Sequence, residues 1–314
     1  MNLNISIPNI LVVVAGPTGI GKTKTTAKLA KHFRSEVVSF DSRQVYKEMK
    51  IGTAFPAAED QLRVPHHMLA IKSIHDYYNA SIFENQVIEL FDRLFQKHEL
   101  IFFTGGTGFY LDATIKGIDD LPTIDPELRN SLRKKYESQG IESIRLQLKK
   151  LDPVYYQNAD LKNPNRILKA LEISIMTGKP YSTFLSAPKK QRNFDPLLIG
   201  LDMDRQELYN RINNRVEKMM EEGLMEEAKA LFPYKNKNAL NTVGYKELFR
   251  HFDGEITLDE AIDLIKRNTR KYARRQLTWF RKYKQIKWFH PEEMNEIIDF
   301  VNSRIAVMRN GMKT

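Results

Sequence analysis

The run Gly16-Pro17-Thr18-Gly19-Ile20-Gly21-Lys22-Thr23 follows directly on the apolar stretch Ile10-Leu11-Val12-Val13-Val14-Ala15. This is the phosphate-loop pattern G-x-x-x-x-G-K-[ST], and it lies where that pattern has physical meaning, between a buried strand and a helix predicted over about Gly21–Phe33. Glycines let the backbone approach an anion through dihedrals closed to other residues. Successive N–H groups and the positive end of the helix then converge on phosphate oxygens. Gly16, Pro17, Thr18, Gly19, Ile20, Gly21, Lys22 and Thr23 are therefore the predicted phosphate-binding residues. Lys22 supplies a mobile charge, and the Thr23 hydroxyl is placed to ligate Mg²⁺. The loop alone does not say whether the phosphates are a phosphoryl donor, a fuel or a leaving group.

Further apolar runs at Val37–Phe40, Leu100–Thr104 and Leu197–Leu201, with a shorter one at Ile286–Phe289, read as buried parallel strands. Helical spacing lies between them, as in Ser81–Gln96, where Ile82, Phe83, Val87, Leu90, Phe91 and Leu94 share a face. This alternation predicts a doubly wound α/β sheet with ligands bound beyond the carboxyl ends of its strands. Asp41 and Gly105-Gly106-Thr107-Gly108 fall at those ends. Asp41 has three readings: an indirect Mg²⁺ ligand, a general base, or a helix cap. The glycine-rich segment marks either close approach of another group or a plain turn. His66-His67 point apart in regular structure and read as structural or substrate-contacting, not as metal ligands.

Residues 116–195 contain no clear strand and read as an all-helical insertion, with one helix opened by Asn163-Pro164 and closed by Gly178. Residues 182–196, including Pro188 and Lys189, read as an exposed return loop. The predicted division is a core of 1–115 and 196–314 around an insertion of 116–195.

The net charge is +10 over 314 residues, and it is unevenly placed. Residues 1–114 hold 12 Lys and Arg against 11 Asp and Glu, whereas residues 115–314 hold 37 against 28. A near-neutral core with a basic remainder predicts a polyanionic partner. Lys266–Lys287 carries ten Lys and Arg and no acid. On a helix, Arg267, Arg270, Lys271, Arg274 and Arg281 fall near one face, and Tyr272, Gln276, Trp279, Phe280 and Tyr283 near another, so one face can pack while the other meets phosphates. The chain has no cysteine, which excludes a disulfide framework or thiolate metal site. Its first apolar run is too short to span a bilayer, so no membrane is expected and the cytoplasm is the expected compartment. Two readings fit to this point: a P-loop kinase of a small metabolite, or a nucleotide-gated nucleic-acid-binding module.

The order of these motifs resembles the tRNA dimethylallyltransferases, also called tRNA isopentenyltransferases. The resemblance rests on Gly16–Thr23, Asp41-Ser42-Arg43-Gln44-Val45-Tyr46, Ile51-Gly52-Thr53-Ala54, Pro65-His66-His67 and Gly105–Tyr110. It continues through Asn165–Glu172, Gly244-Tyr245-Lys246-Glu247-Leu248 and Arg274–Arg281. It implies an α/β fold with a P-loop-kinase-like parallel sheet core and an all-helical insertion domain that grips the tRNA anticodon stem-loop. It implies transfer of a dimethylallyl group from its diphosphate to N6 of adenosine 37, with Mg²⁺ as cofactor, by a monomer. Asp41, Thr23 and Arg215 would be catalytic. Contacts to tRNA would come from Asp41, Ser42, Arg43, Gln44, Thr107, Arg129, Asn165, Arg166, Ile167, Leu168 and Lys169. Further contacts would come from Asn241, Thr242, Val243, Gly244, Tyr245, Lys246, Arg274, Arg275, Gln276 and Arg281. Phe55 and Ala70 depart from the family pattern, which has lysine and aspartate there.

Overall fold

The computed structural model describes residues 9–56, 59, 61, 64–119, 121–122, 125–185 and 190–311. Pro188 and Lys189 of the expected return loop lie outside them. The chain divides into two compact units, Met1–Ile115 with Arg192–Thr314, and Lys116–Gln191.

The first unit is built on a six-stranded parallel sheet of order β3-β2-β4-β1-β5-β6. Its strands are β1 (Ile10–Ala15), β2 (Val37–Ser39), β3 (His66–His67), β4 (Leu100–Gly105), β5 (Asp195–Leu201) and β6 (Lys287–Phe289). β1 and β4 are buried along their whole lengths, as strands covered on both faces must be. Ile10, Val12, Val14 and Phe102 pack on one side with Ala27 and Ala30 of α1 (Lys22–His32). On the other side Phe103 meets Phe40, Phe83 and Phe91 at ring-centroid distances of 4.5, 6.4 and 5.4 Å. Phe83 and Phe91 come from α2 (Ala80–Leu94), whose first turn is capped by the Asn79 side chain.

β3 has no apolar run to announce it. It pairs with β2 at the sheet edge, and His67 Nε2 meets the Glu36 carboxylate at 2.5 Å while His98 Nε2 meets its other oxygen at 3.0 Å. The histidine pair is thus structural at His67. From β1 the chain crosses to β2 on one side of the sheet, and from β4 it passes to β5 on the other. The carboxyl ends of β1 and β4 therefore flank a topological switch point, where such sheets open a crevice.

The remaining helices of this unit are α3 (Gly108–Lys116), then α7 (Arg205–Glu221), α8 (Leu224–Leu231), α9 (Tyr245–Phe252), α10 (Leu258–Phe280) and α11 (Met294–Gly311). The second unit holds α4 (Pro126–Leu151), interrupted at Gly140 with φ 74°, together with α5 (Pro153–Asn158) and α6 (Pro164–Thr177). The Asn163 side chain caps α6, and Gly178 ends it at φ 68°. Leu132, Ile144, Leu148, Ile167, Leu168 and Leu171 form this unit's own core. No helix among the described residues is long and apolar enough to cross a membrane.

Candidate active site

The phosphate loop has the geometry that its sequence requires. Gly19 and Gly21 take φ of 85° and 102°, where side chains are strained. Ile20 is fully buried and roots the loop in the core. Gly21 caps α1 without a side-chain bond, so the first N–H groups of α1 face the loop's concavity. Thr18, Gly19, Gly21, Lys22 and Thr23 line a cavity of about 330 Å³ together with Asp41, Gly105 and Arg215. Lys22 Nζ donates to Pro17 O at 2.9 Å. Burial pushes the Lys22 ammonium down to about 7, with Asp41 pulling it up and Arg215 pushing it further down. The Arg215 guanidinium is likewise lowered by burial and supported by Asp41.

Asp41 serves two purposes. Its Oδ1 accepts from Arg43 N at 2.8 Å and Gln44 N at 3.3 Å, which closes the turn after β2; no helix starts there, so Asp41 is a turn residue and not the helix cap left open above. Its Oδ2 accepts no hydrogen bond from any described residue, and Asp41 lines the phosphate cavity. One oxygen is structural, and the other is available for chemistry.

A second cavity of about 310 Å³ adjoins the first. Thr18, Gly19, Asp41, Thr53, Arg215 and Tyr272 line both, so they form a neck between the two. Beyond it the wall is mixed, with apolar surface from Ile212, Val216, Met219, Leu224, Val243 and Ile265. Ser42, Arg43, Gly52, Asn241, Thr242, Gly244, Lys246, Thr269 and Arg275 complete this chamber. The Ile51–Ala54 loop at its rim is held by Glu227, whose carboxylate accepts from the N–H groups of Lys50, Ile51 and Gly52 and from the Tyr245 hydroxyl. Nothing in the sequence around Glu227 signals this anchoring role. Phe55 lines the phosphate cavity where the resemblance expects a lysine, and Ala70 N donates to Gln44 O. Arg211 also escaped the sequence reading: a Cβ added at Gly21 would lie 3.3 Å from its guanidinium.

The glycine-rich turn after β4 accommodates the face of α10 opposite its cations. A Cβ at Gly106 would lie 2.2 Å from Gln276 Nε2, and one at Gly108 2.2 Å from Trp279 Cδ1. Trp279 Nε1 and the Tyr283 hydroxyl both donate to Asp112, at 2.9 and 2.5 Å. Thr107 Oγ1 accepts from Ser42 N and donates to Ser42 Oγ, joining this turn to the one after β2.

Several predicted tRNA-contacting side chains are committed inside the chain. Gln276 and Tyr245 are buried in the first unit, and Ile167 and Leu168 in the core of the second. Their side chains pack or wire the fold. Arg43 donates to the carbonyls of Asn238, Ala239 and Asn241, fixing the chamber wall, and Gln44 Nε2 donates to the carbonyls of Thr53 and Ala54. Arg129 grips the buried Glu172 carboxylate with two bonds of 2.9 and 3.0 Å. Asn165 and Arg166 stand exposed on α6, and Lys169 is half-buried.

The cations of the Lys266–Lys287 segment also divide. Lys266 pairs with Glu217, Arg281 with Asp202, and Arg270 donates to Asn213 while lying over the Tyr209 ring. Acids on other elements thus compensate part of the segment. Arg267, Lys271, Arg274 and Arg275 are exposed and have no acidic partner among the described residues.

A phosphate loop at the switch point of a parallel sheet, opening through a carboxylate-bearing neck into a second chamber of mixed lining, defines a P-loop protein of the α/β class. The chain belongs to the IPP transferase family, whose model matches residues 44–283. It is 49% identical over 295 residues to the tRNA dimethylallyltransferase 1 of Bacteroides fragilis, covering 94% of this chain and 98% of that one. It is also 49% identical, over 298 residues, to the tRNA dimethylallyltransferase of Christiangramia forsetii, covering 95% and 99%. Among solved structures, the tRNA isopentenylpyrophosphate transferase of Bacillus halodurans superposes with a TM-score of 0.72 at 36% identity, covering 98% of this chain and all of that one. A eukaryotic dimethylallyltransferase described as acting on tRNA gives a TM-score of 0.76 at 26% identity, covering 91% of this chain and 75% of that one.

Proposed function

We propose that this chain transfers a dimethylallyl group from dimethylallyl diphosphate to N6 of adenosine 37 in tRNA, releasing diphosphate. The observation that carries the proposal is the continuity of the phosphate cavity, through the Asp41 neck, with a chamber to which Ile212, Val216, Met219, Leu224, Val243 and Ile265 give apolar surface. An ester of diphosphate with a short hydrocarbon needs both ends of that cleft at once.

The diphosphate is held by the loop's N–H groups, Lys22 and Arg215, which offset the charge that grows on it as the allylic carbon–oxygen bond breaks. The adenine nitrogen attacks that carbon, and Asp41 Oδ2 takes the proton that the amine loses. An adenine amine is barely basic, so much of the rate comes from placing nitrogen and carbon in line. The Thr23 hydroxyl in the phosphate cavity is a hard oxygen, which suits Mg²⁺ bound chiefly through phosphate and water. Thr23 would hold the ion, and the ion would supply further charge neutralisation.

The exposed cations of α10, with Asn165, Arg166 and Lys169 of the helical unit, are the proposed tRNA contacts, the latter to the anticodon stem-loop. The target base must leave its stack to react. The protein is proposed to act as a cytoplasmic monomer. Nucleoside analysis of undermodified tRNA incubated with the donor tests the proposal: N6-dimethylallyladenosine is expected. Unaltered nucleosides accompanied by ATP hydrolysis would overturn it in favour of a kinase or a nucleotide-gated binder.

A further inference from the structure

The Glu227 carboxylate, on α8, is half-buried and pairs with no cation among the described residues. All its bonds go to one loop and the tyrosine behind it. Oε2 accepts from Lys50 N at 2.9 Å and Ile51 N at 2.9 Å, and Oε1 accepts from Gly52 N at 2.9 Å and the Tyr245 hydroxyl at 2.7 Å. Bonds to an ionised acceptor are stronger than those to a neutral one. Gly52 makes the arrangement possible, since a Cβ there would lie 2.6 Å from the Tyr245 ring. From the other side, Gln44 Nε2 donates to the carbonyls of Thr53 and Ala54. Between the two clamps Ala54 takes φ of 47°, a left-handed conformation that a residue with a Cβ adopts only at a cost. Such strain persists where surrounding bonds over-determine it, and it gathers at working sites. Here it falls on the backbone that forms one side of the neck: Thr53 lines both cavities, and Ala54 lines the phosphate cavity.

We infer that Glu227 is a positioning residue for the transfer step, resting on the function proposed above: its carboxylate holds the Thr53 side of the neck against the strain at Ala54, and so fixes the passage in which nitrogen and carbon meet. Glu227 lines neither cavity, so it acts through Gly52 and Thr53. It bonds to neither the phosphate loop nor the exposed cations of α10, so its loss falls on orientation and not on binding. Misplacement by about 1 Å can cost about a hundredfold in rate.

Glu227→Gln tests this with little change of shape. The amide oxygen can still serve Lys50 and Ile51, but the NH2 group then faces the Gly52 N–H, donor against donor. The measurements are single-turnover dimethylallyl transfer to undermodified tRNA, both KM values, calorimetric binding of inorganic diphosphate with Mg²⁺, and thermal melting. Glu227→Gln should lower the transfer rate at saturating substrates at least about tenfold, with both KM values and diphosphate affinity within about threefold of wild type. Adding Ala54→Gly removes the cost of positive φ, so the double variant should recover about threefold or more of the lost rate. If Glu227→Gln does not fold, Glu227→Asp, which keeps the charge but withdraws the carboxylate by one methylene, carries the test with the same expectations. A lowered melting temperature with a wild-type rate per folded molecule would overturn the inference and leave the proposed function standing. So would a double variant no faster than the single one. A wild type that transfers no dimethylallyl would overturn both.

Discussion

Replacing Asp41 by asparagine separates the two tasks of this residue. The turn after β2 depends on Oδ1, which accepts from Arg43 N and Gln44 N, and asparagine retains that oxygen. The change falls on Oδ2, where an amide nitrogen cannot take a proton. A positioned general base contributes roughly 10²–10⁴ in rate, and each decade is about 1.4 kcal/mol of barrier. Asp41→Asn should therefore lower kcat by roughly 10²–10⁴, or about 3–5 kcal/mol. Its melting temperature should stay at the wild-type value. Asp41→Ala also loses both turn bonds and should cost about 1 kcal/mol of stability in addition. The assay is single-turnover transfer of labelled dimethylallyl to undermodified tRNA, with filter binding to confirm that tRNA affinity is retained. Asp41 also supports the charge on Lys22 and Arg215. The rates must therefore be compared at saturating donor, so that weaker diphosphate binding is not mistaken for lost chemistry. A turnover rate for Asp41→Asn within about threefold of wild type would refute the base assignment and leave Asp41 as a turn residue.

Lys22 sits at about 7 in the free protein because burial disfavours its charge. A bound diphosphate favours the charged form, so above that pH binding takes up a proton and affinity falls as pH rises. Calorimetry in buffers of different ionisation enthalpy should detect the uptake near about pH 8 in the wild type and not in Lys22→Met; equal heats in all buffers would refute it. Replacing Lys271 and Arg274 together by alanine should flatten the salt dependence of tRNA binding by about one to two units of slope and leave diphosphate affinity unchanged. An unaltered slope would move the tRNA footprint off this face. Gly108→Ala would bring a methyl to 2.2 Å from the Trp279 ring, which Asp112 holds by a hydrogen bond. It should destabilise by about 1–3 kcal/mol, and an unchanged melting curve would show that the helix can yield there.

The parts of the fold legible in the sequence are those whose physics is local. β1 and β4 are continuous apolar runs because both faces are covered, and the phosphate loop carries its own dihedral requirements in Gly19 and Gly21. β6 could be read from the short run Ile286–Phe289, but β3 could not. Its His66-His67 pair holds its place through partners distant in sequence, chiefly Glu36. The same distinction runs through the site. Asp41 and Arg215 are recognisable by residue type and motif, whereas Glu227 anchors the Ile51–Ala54 loop from 175 residues away in the chain. Gly106 and Gly108 announce a close approach without saying of what. Only the packed structure identifies the occupants as Gln276 and Trp279, two residues that helical periodicity had placed on a common face. Charge was misleading where compensation came from elsewhere: the segment from Lys266 contains no acid, yet Glu217 and Asp202 neutralise Lys266 and Arg281 across elements.

The central claim is that the phosphate loop grips a leaving group while carbon is transferred. It is tested most directly with dimethylallyl diphosphate carrying a carbon label in the prenyl chain and a phosphorus label in the diphosphate, incubated with the protein, Mg²⁺ and undermodified tRNA. Carbon label on adenosine 37, matched by an equal amount of phosphorus label released as free diphosphate, is the predicted result. Phosphorus label transferred to any acceptor, or carbon label that never reaches RNA, would contradict it.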